Sequence, residues 1–129
     1  MIKKMLEEAK NIAIVGLSPD ESKDSNKVAK YLIARGCEIY PIYPKEDEIL
    51  GKKVYRNLCD ITDKIDIVVM FRKGEFATEL IKDVLAKKVP NFWLQLGITN
   101  EIAHKIAEEN GINFVQNRCI MVEHRNLFL

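Results

Sequence analysis

Ile12-Ala13-Ile14-Val15-Gly16-Leu17-Ser18 is an apolar run that ends in a glycine turn. A polar loop follows over residues 19–25, and a helical pattern then runs to Gly36. Strand, glycine turn and helix, in that order, build the phosphate site of an α/β domain. Apolar residues bury the strand, glycine lets the backbone turn beneath a ligand, and the helix start offers free N–H groups and a positive dipole end. The dinucleotide pattern G-x-G-x-x-G is absent. One glycine stands where three are expected, and serines fill the loop, so the stretch predicts a phosphate-binding turn of another kind.

The same alternation continues on either side. Residues 2–10 read as a short amphipathic helix with Ile2, Met5, Leu6 and Ala9 on one face. Residues 11–15 form the first strand. Residues 26–34 form a helix with a Val28, Ala29, Leu32 and Ile33 stripe, stopped by Gly36. A second strand covers residues 38–42, and residues 53–55 read as a short edge strand. The nearly all-apolar run 65–71 is a buried strand. Residues 75–88 are a helix with Phe76, Leu80, Ile81, Val84 and Leu85 facing inward. Residues 92–94 are a strand, residues 100–110 a helix capped by Asn100 and stopped by Gly111, and residues 112–115 the last strand. The tail, 119–129, is apolar in part and fits no single element, and its end, residues 126–129, is read two ways, packed on the sheet edge or on a second subunit.

Alternating strands and helices with short connections mean right-handed βαβ units and a parallel sheet covered on both faces. The expected fold class is α/β: one three-layer Rossmann-like domain over residues 1–129. Its parallel sheet has five strands plus the short edge strand, in the order 3-2-1-4-5-6. That order reverses between strands 1 and 4, and ligands bind at such a switch point, outside the carboxyl ends of the strands.

Bulk properties exclude several classes. With 129 residues the chain is one domain with one real core. The 47% apolar and 30% charged fractions are those of a globular protein, and the net charge of +1 gives no field that points to nucleic acid or membrane. No signal-like or membrane-spanning run is present, and the expected location is cytoplasmic. Cys37, Cys59 and Cys119 are odd in number and widely spaced, which reads as buried or idle thiols in a reducing compartment. His104 and His124 match no metal-ligand spacing. Neither the P-loop nor G-x-S-x-G occurs, and no nucleophile–base or acid pair is visible.

The strand ends populate the switch point with serine, cations, amides and glycine, whereas the strand interiors are apolar. Gly16 either makes a tight turn or faces a ligand, and the end of strand 1 favours the ligand. Ser18 and Ser25 cap a turn, a helix or a phosphate, which are compatible roles. Lys45 reads first as a solvated lysine, and Arg72 equally as ligand partner or surface cation. Gln95 sits among apolar residues in Trp93-Leu94-Gln95-Leu96-Gly97, and a buried amide must find partners, which favours a role at the site. Trp93 reads as core. At the end of strand 2, where an NAD site keeps a carboxylate for the ribose, the chain reads Tyr40-Pro41-Ile42-Tyr43-Pro44 with no acid until Glu46. NAD is disfavoured; NADP is less so, because Lys45 could meet a 2′-phosphate.

Taken together, residues 13–20 (AIVGLSPD), 25–32 (SNKVAKYL), Gly36, 40–44 (YPIYP), 49–52 (ILGK), 93–98 (WLQLGI) and 117–124 (NRCIMVEH) resemble the single-domain CoA-binding proteins. That family is similar to the CoA-binding domain of the succinyl-CoA synthetase α subunit and of nucleoside-diphosphate-forming acyl-CoA synthetases. The resemblance covers almost the whole chain and implies that coenzyme A, or an acyl-CoA, binds at the switch point. It implies that Gly16, Leu17 and Ser18 hold the pyrophosphate, reinforced by Ser25, Asn26 and Lys27. Tyr43, Pro44 and Lys45 would flank the adenosine end, with Lys45 at the 3′-phosphate. Phe71 and Arg72 would line the pantetheine path. Gln95, Leu96 and Gly97, with Asn117, Arg118 and Cys119, would form the far wall.

The chemistry of the residues agrees with such a ligand: phosphates suit cations and helix N–H groups, and a partly apolar arm suits Leu17, Phe71 and Leu96. A ligase of the resembled class needs a phosphorylated histidine on a following domain and a nucleotide-binding partner. The chain is read as too short for that domain, so the expectation is a non-catalytic CoA-binding module or subunit, not an enzyme, with no catalytic residues. The alternative is an NADP- or other nucleotide-dependent enzyme using the same site. Cys119 is read as a buried thiol before a mixed-disulfide partner of CoA. A homodimer or an unknown protein partner stays open.

Overall fold

The computed structural model describes residues 1–129. The opening apolar run forms β1 (Asn11–Val15), flanked by β2 (Glu38–Ile42) on one side and β5 (Ile67–Met70) on the other. Beyond β5 lie β6 (Asn91–Leu94) and β7 (Asn113–Val115), so the parallel order is β2-β1-β5-β6-β7. Val15 stands opposite Ile42 and Met70, and Met70 opposite Leu94, so the carboxyl ends of four strands finish level. The architecture is the parallel α/β sheet read from the sequence.

Side-chain alternation divides the core into two layers. Ile12, Ile14, Ile67, Val69 and Trp93 face one side, under α1 (Ile2–Glu8), α2 (Asp24–Ala34) and α5 (Ile120–Phe128). Ala13, Val15, Val68, Met70, Phe92 and Leu94 face the other, under α3 (Ala77–Ala86) and α4 (Glu101–Glu109). A sheet buried on both faces needs continuous apolar strands, which is why residues 67–70 read as an unbroken run. Gly36, at φ +91°, ends α2 with its N–H on Ile33 O and that of Cys37 on Leu32 O, a motif that needs a left-handed residue.

The edge differs from expectation. Instead of a sixth strand, Glu48–Ile49 (β3) and Lys52–Lys53 (β4) form an antiparallel hairpin of their own. Only Tyr55 joins the main sheet, by a parallel bridge to Ile42 in which Tyr55 N–H donates to Pro41 O and Tyr43 N–H to Tyr55 O. Pro41 explains the short pairing. Its carbonyl faces the edge, so its nitrogen does too, and proline has no N–H to extend the ladder. No helix is long and apolar enough to cross a membrane.

Candidate functional site

The carboxyl ends of β1, β2 and β5 open into a cleft of about 870 Å³, within the range of small-molecule sites. It lies between β1 and β5, where the strand order reverses. Val15, Gly16 and Ser18 form its centre; Ile42, Tyr43 and Pro44 one wall; Phe71, Arg72 and Lys73 the other. Gly16 is required there twice over. Its φ is +86°, and a β-carbon would stand 2.9 Å from Phe71 O.

The loop after Gly16 is tied to the start of α2. Ser18 N–H donates to Ser25 Oγ at 3.0 Å, and Asn26 Nδ2 donates to Ser18 O at 2.9 Å. Ser18 Oγ accepts from Asp20 N–H. Lys23, Asp24 and Ser25 line the cleft, and the N–H groups of Asp24 and Ser25 have no acceptor within the protein. Those amides and the helix dipole aim positive charge at the space beside Gly16. Lys23, Arg56, Arg72 and Lys73 add four cations against the two carboxylates Asp24 and Glu75. Arg72 lies over the Phe76 ring at 3.7 Å, which holds its guanidinium at the rim. A smaller hollow of about 170 Å³ opens beside the cleft and shares Val15, Ile42, Arg56, Arg72 and Phe76 with it. Leu58, Met70 and Leu80 give it an apolar side, and Asn57, Glu79 and Asp83 a polar one.

A model of the CoA binding domain matches residues 10–125. The chain belongs to the CoA-binding domain family. It is 38% identical over 123 residues to the uncharacterized protein YneT of Bacillus subtilis, covering 95% of this chain and 91% of that one. It is 30% identical over 128 residues to an ADP-forming acetate–CoA ligase of Methanocaldococcus jannaschii, covering 92% of this chain but only 18% of the ligase. Among solved structures, a hypothetical protein from Pyrococcus horikoshii superposes with a TM-score of 0.96 at 40% identity, over 99% of this chain and 90% of that one.

In this CoA-binding domain, Gly16, Ser18, Ser25, Tyr43, Pro44, Phe71 and Arg72 come together in the cleft. Other expected residues do not. Leu17 is fully buried in the core under α2. Asn26 is buried as a strut of the loop, and its Oδ1 has no hydrogen-bond partner. Lys27 is exposed and outside the lining, because α2 starts at Asp24 and turns position 27 away. Lys45 is exposed and also outside, since the chain leaves the cleft after Pro44 for the hairpin.

The expected far wall is a separate feature. Gln95 is buried, but its Oε1 accepts from Ile120 N–H at 2.9 Å and so caps α5. Gly97 N–H donates to Asn117 Oδ1, and Trp93 Nε1 to Arg118 O. Leu96, Asn117, Arg118 and Cys119 line a depression of about 390 Å³ that shares no residue with the cleft. Sequence reasoning missed Lys23, Asp24, Arg56, Glu75 and Phe76, and placed Lys73 at the strand end without giving it a role. Glu75 lies three residues after Arg72, and Arg56 directly follows the expected edge strand 53–55, so position pointed to both.

Proposed function

We propose that this domain binds coenzyme A, or an acyl-CoA, in the cleft at the carboxyl edge of the sheet, as a binding module without chemistry of its own. The observation that carries the reading is the meeting of the Gly16 turn, the unpartnered amides of Asp24 and Ser25, and four cations in one cleft. These groups suit a pyrophosphate. Similarity to an ADP-forming acetate–CoA ligase supports the choice of ligand. The smaller hollow beside the cleft, half apolar and half polar, suits the adenine ring, with Glu79 or Asp83 able to accept from its amino group.

Thermal unfolding with CoA, acetyl-CoA, NAD, NADP and ATP tests the reading. A ligand selective for the folded state, at about a hundredfold over its Kd, adds about 2.7 kcal/mol of stability. CoA and acetyl-CoA are expected to raise the midpoint well above the other three. No shift with CoA beside a large one with NADP would reject the proposal.

A further inference from the structure

Arg56 occupies the junction between the cleft and the smaller hollow, lining both. If the pyrophosphate lies at Gly16 and the adenine in the hollow, as proposed above, the ribose between them must pass this junction. In open α/β sheets the end of the second strand is where ribose substituents are read, by a carboxylate for free hydroxyls or an arginine for a phosphate. The second strand here ends without a carboxylate in the lining. Instead Arg56 Nη1 donates to Tyr43 O at 3.1 Å and to Lys45 O at 3.2 Å. Two carbonyls at the exit of β2 thus hold the guanidinium in place.

An arginine held this way has already lost much of its side-chain freedom, and its Nε and Nη2 stay available as donors in a planar fork suited to a phosphate. The neighbouring carboxylate is a weak competitor: Asp47 Oδ1 is 4.0 Å from Nη2 and fully exposed. Lys45 contributes its carbonyl to this arrangement, but its side chain is outside the cleft. We infer that Arg56 is the residue that reads a phosphomonoester on the ligand's ribose, and so distinguishes CoA from its 3′-dephospho form. This inference rests on the proposed CoA site.

The same chemistry would meet the 2′-phosphate of NADP, so the test uses two ligand pairs. Calorimetric titrations compare CoA with 3′-dephospho-CoA, and NADP with NAD, on the wild type, Arg56→Gln, Arg56→Lys and Lys45→Gln. The wild type is expected to prefer CoA over dephospho-CoA. Arg56→Gln should weaken CoA about tenfold, the loss of one charge-assisted contact, and leave dephospho-CoA within about twofold. Arg56→Lys should fall between, and Lys45→Gln should match the wild type. Equal losses for both CoA forms would assign Arg56 to holding the loop alone, and a tenfold loss in Lys45→Gln instead would return the role to Lys45; either overturns the inference. A preference for NADP over NAD that Arg56→Gln abolishes, with no CoA binding, would reject the CoA site while keeping the phosphate-reading arginine. No binding of any of the four would reject both.

Discussion

A methyl group on Gly16 would have to displace the backbone at Phe71, because the contact is with a carbonyl oxygen and not with a flexible side-chain end. It would also sit on a residue with φ +86°, a region that costs an L side chain about 1 kcal/mol or more. Gly16→Val should therefore lower stability by about 2–4 kcal/mol in denaturant unfolding and remove the CoA-dependent thermal shift even where the protein remains folded. A retained shift in folded Gly16→Val protein would place the pyrophosphate elsewhere. The same torsion explains which neighbours could be read in advance. Ile12 and Ile14 face one layer, Ala13 and Val15 the other, and strict alternation sends Leu17 with Val15. The left-handed turn at Gly16 reverses it, and Leu17 packs with Ile12 and Ile14. Residues directly at strand ends, such as Ser18, Tyr43 and Arg72, were legible because topology places them. Leu17 was not, because a reversed torsion decides its position, and Arg56 was legible only as the residue after the expected edge strand, which a single bridge holds to the sheet.

Elements that carry their own end signals matched the sequence reading closely, and α4 is the clearest case. Asn100 Oδ1 accepts from Ala103 N–H at 2.9 Å, as its position predicts. Its Nδ2 also donates to Gly74 O at 2.8 Å and Thr78 Oγ1 at 2.9 Å, tying α4 to the turn that precedes α3. That turn carries Glu75 and Phe76 into the cleft. Asn100→Ala should cost about 2–3 kcal/mol, more than an isolated cap at about 1 kcal/mol, since three part-buried bonds are lost together. Urea unfolding checks this, and a loss of about 1 kcal/mol or less would mean that the cap alone matters. By contrast, α5 could not be assigned from the tail. Its first N–H is capped by Gln95 from the end of β6, 25 residues earlier, and no local pattern announces such a partner.

At the scale of the molecule, α5 closes the layer that α1 and α2 begin, with Phe128 packed against it while Leu127 and Leu129 stay exposed. Ile120 is fully buried, and the helix is joined to α2 by Tyr31 Oη and His124 Nδ1 at 2.8 Å. The His124 ring meets Tyr31 edge-on and lies 4.7 Å from Phe128. Burial, and secondly the nearby Arg35 charge, push the His124 pKa below its ordinary value. The unfolded chain therefore binds more protons than the folded one in the interval between the two pKa values. Stability is complete above the unfolded value of about 6.5 and is lost as pH falls through the lower folded value. Between pH 7.5 and 5.5 the wild-type Tm should fall, and His124→Gln should flatten that slope, since glutamine has no charge to gain at this site. An equal slope in both proteins would assign the acid sensitivity to other groups. Retention of CoA binding across the same interval would further separate the helix seam from the cleft, because no residue of α5 lines the latter.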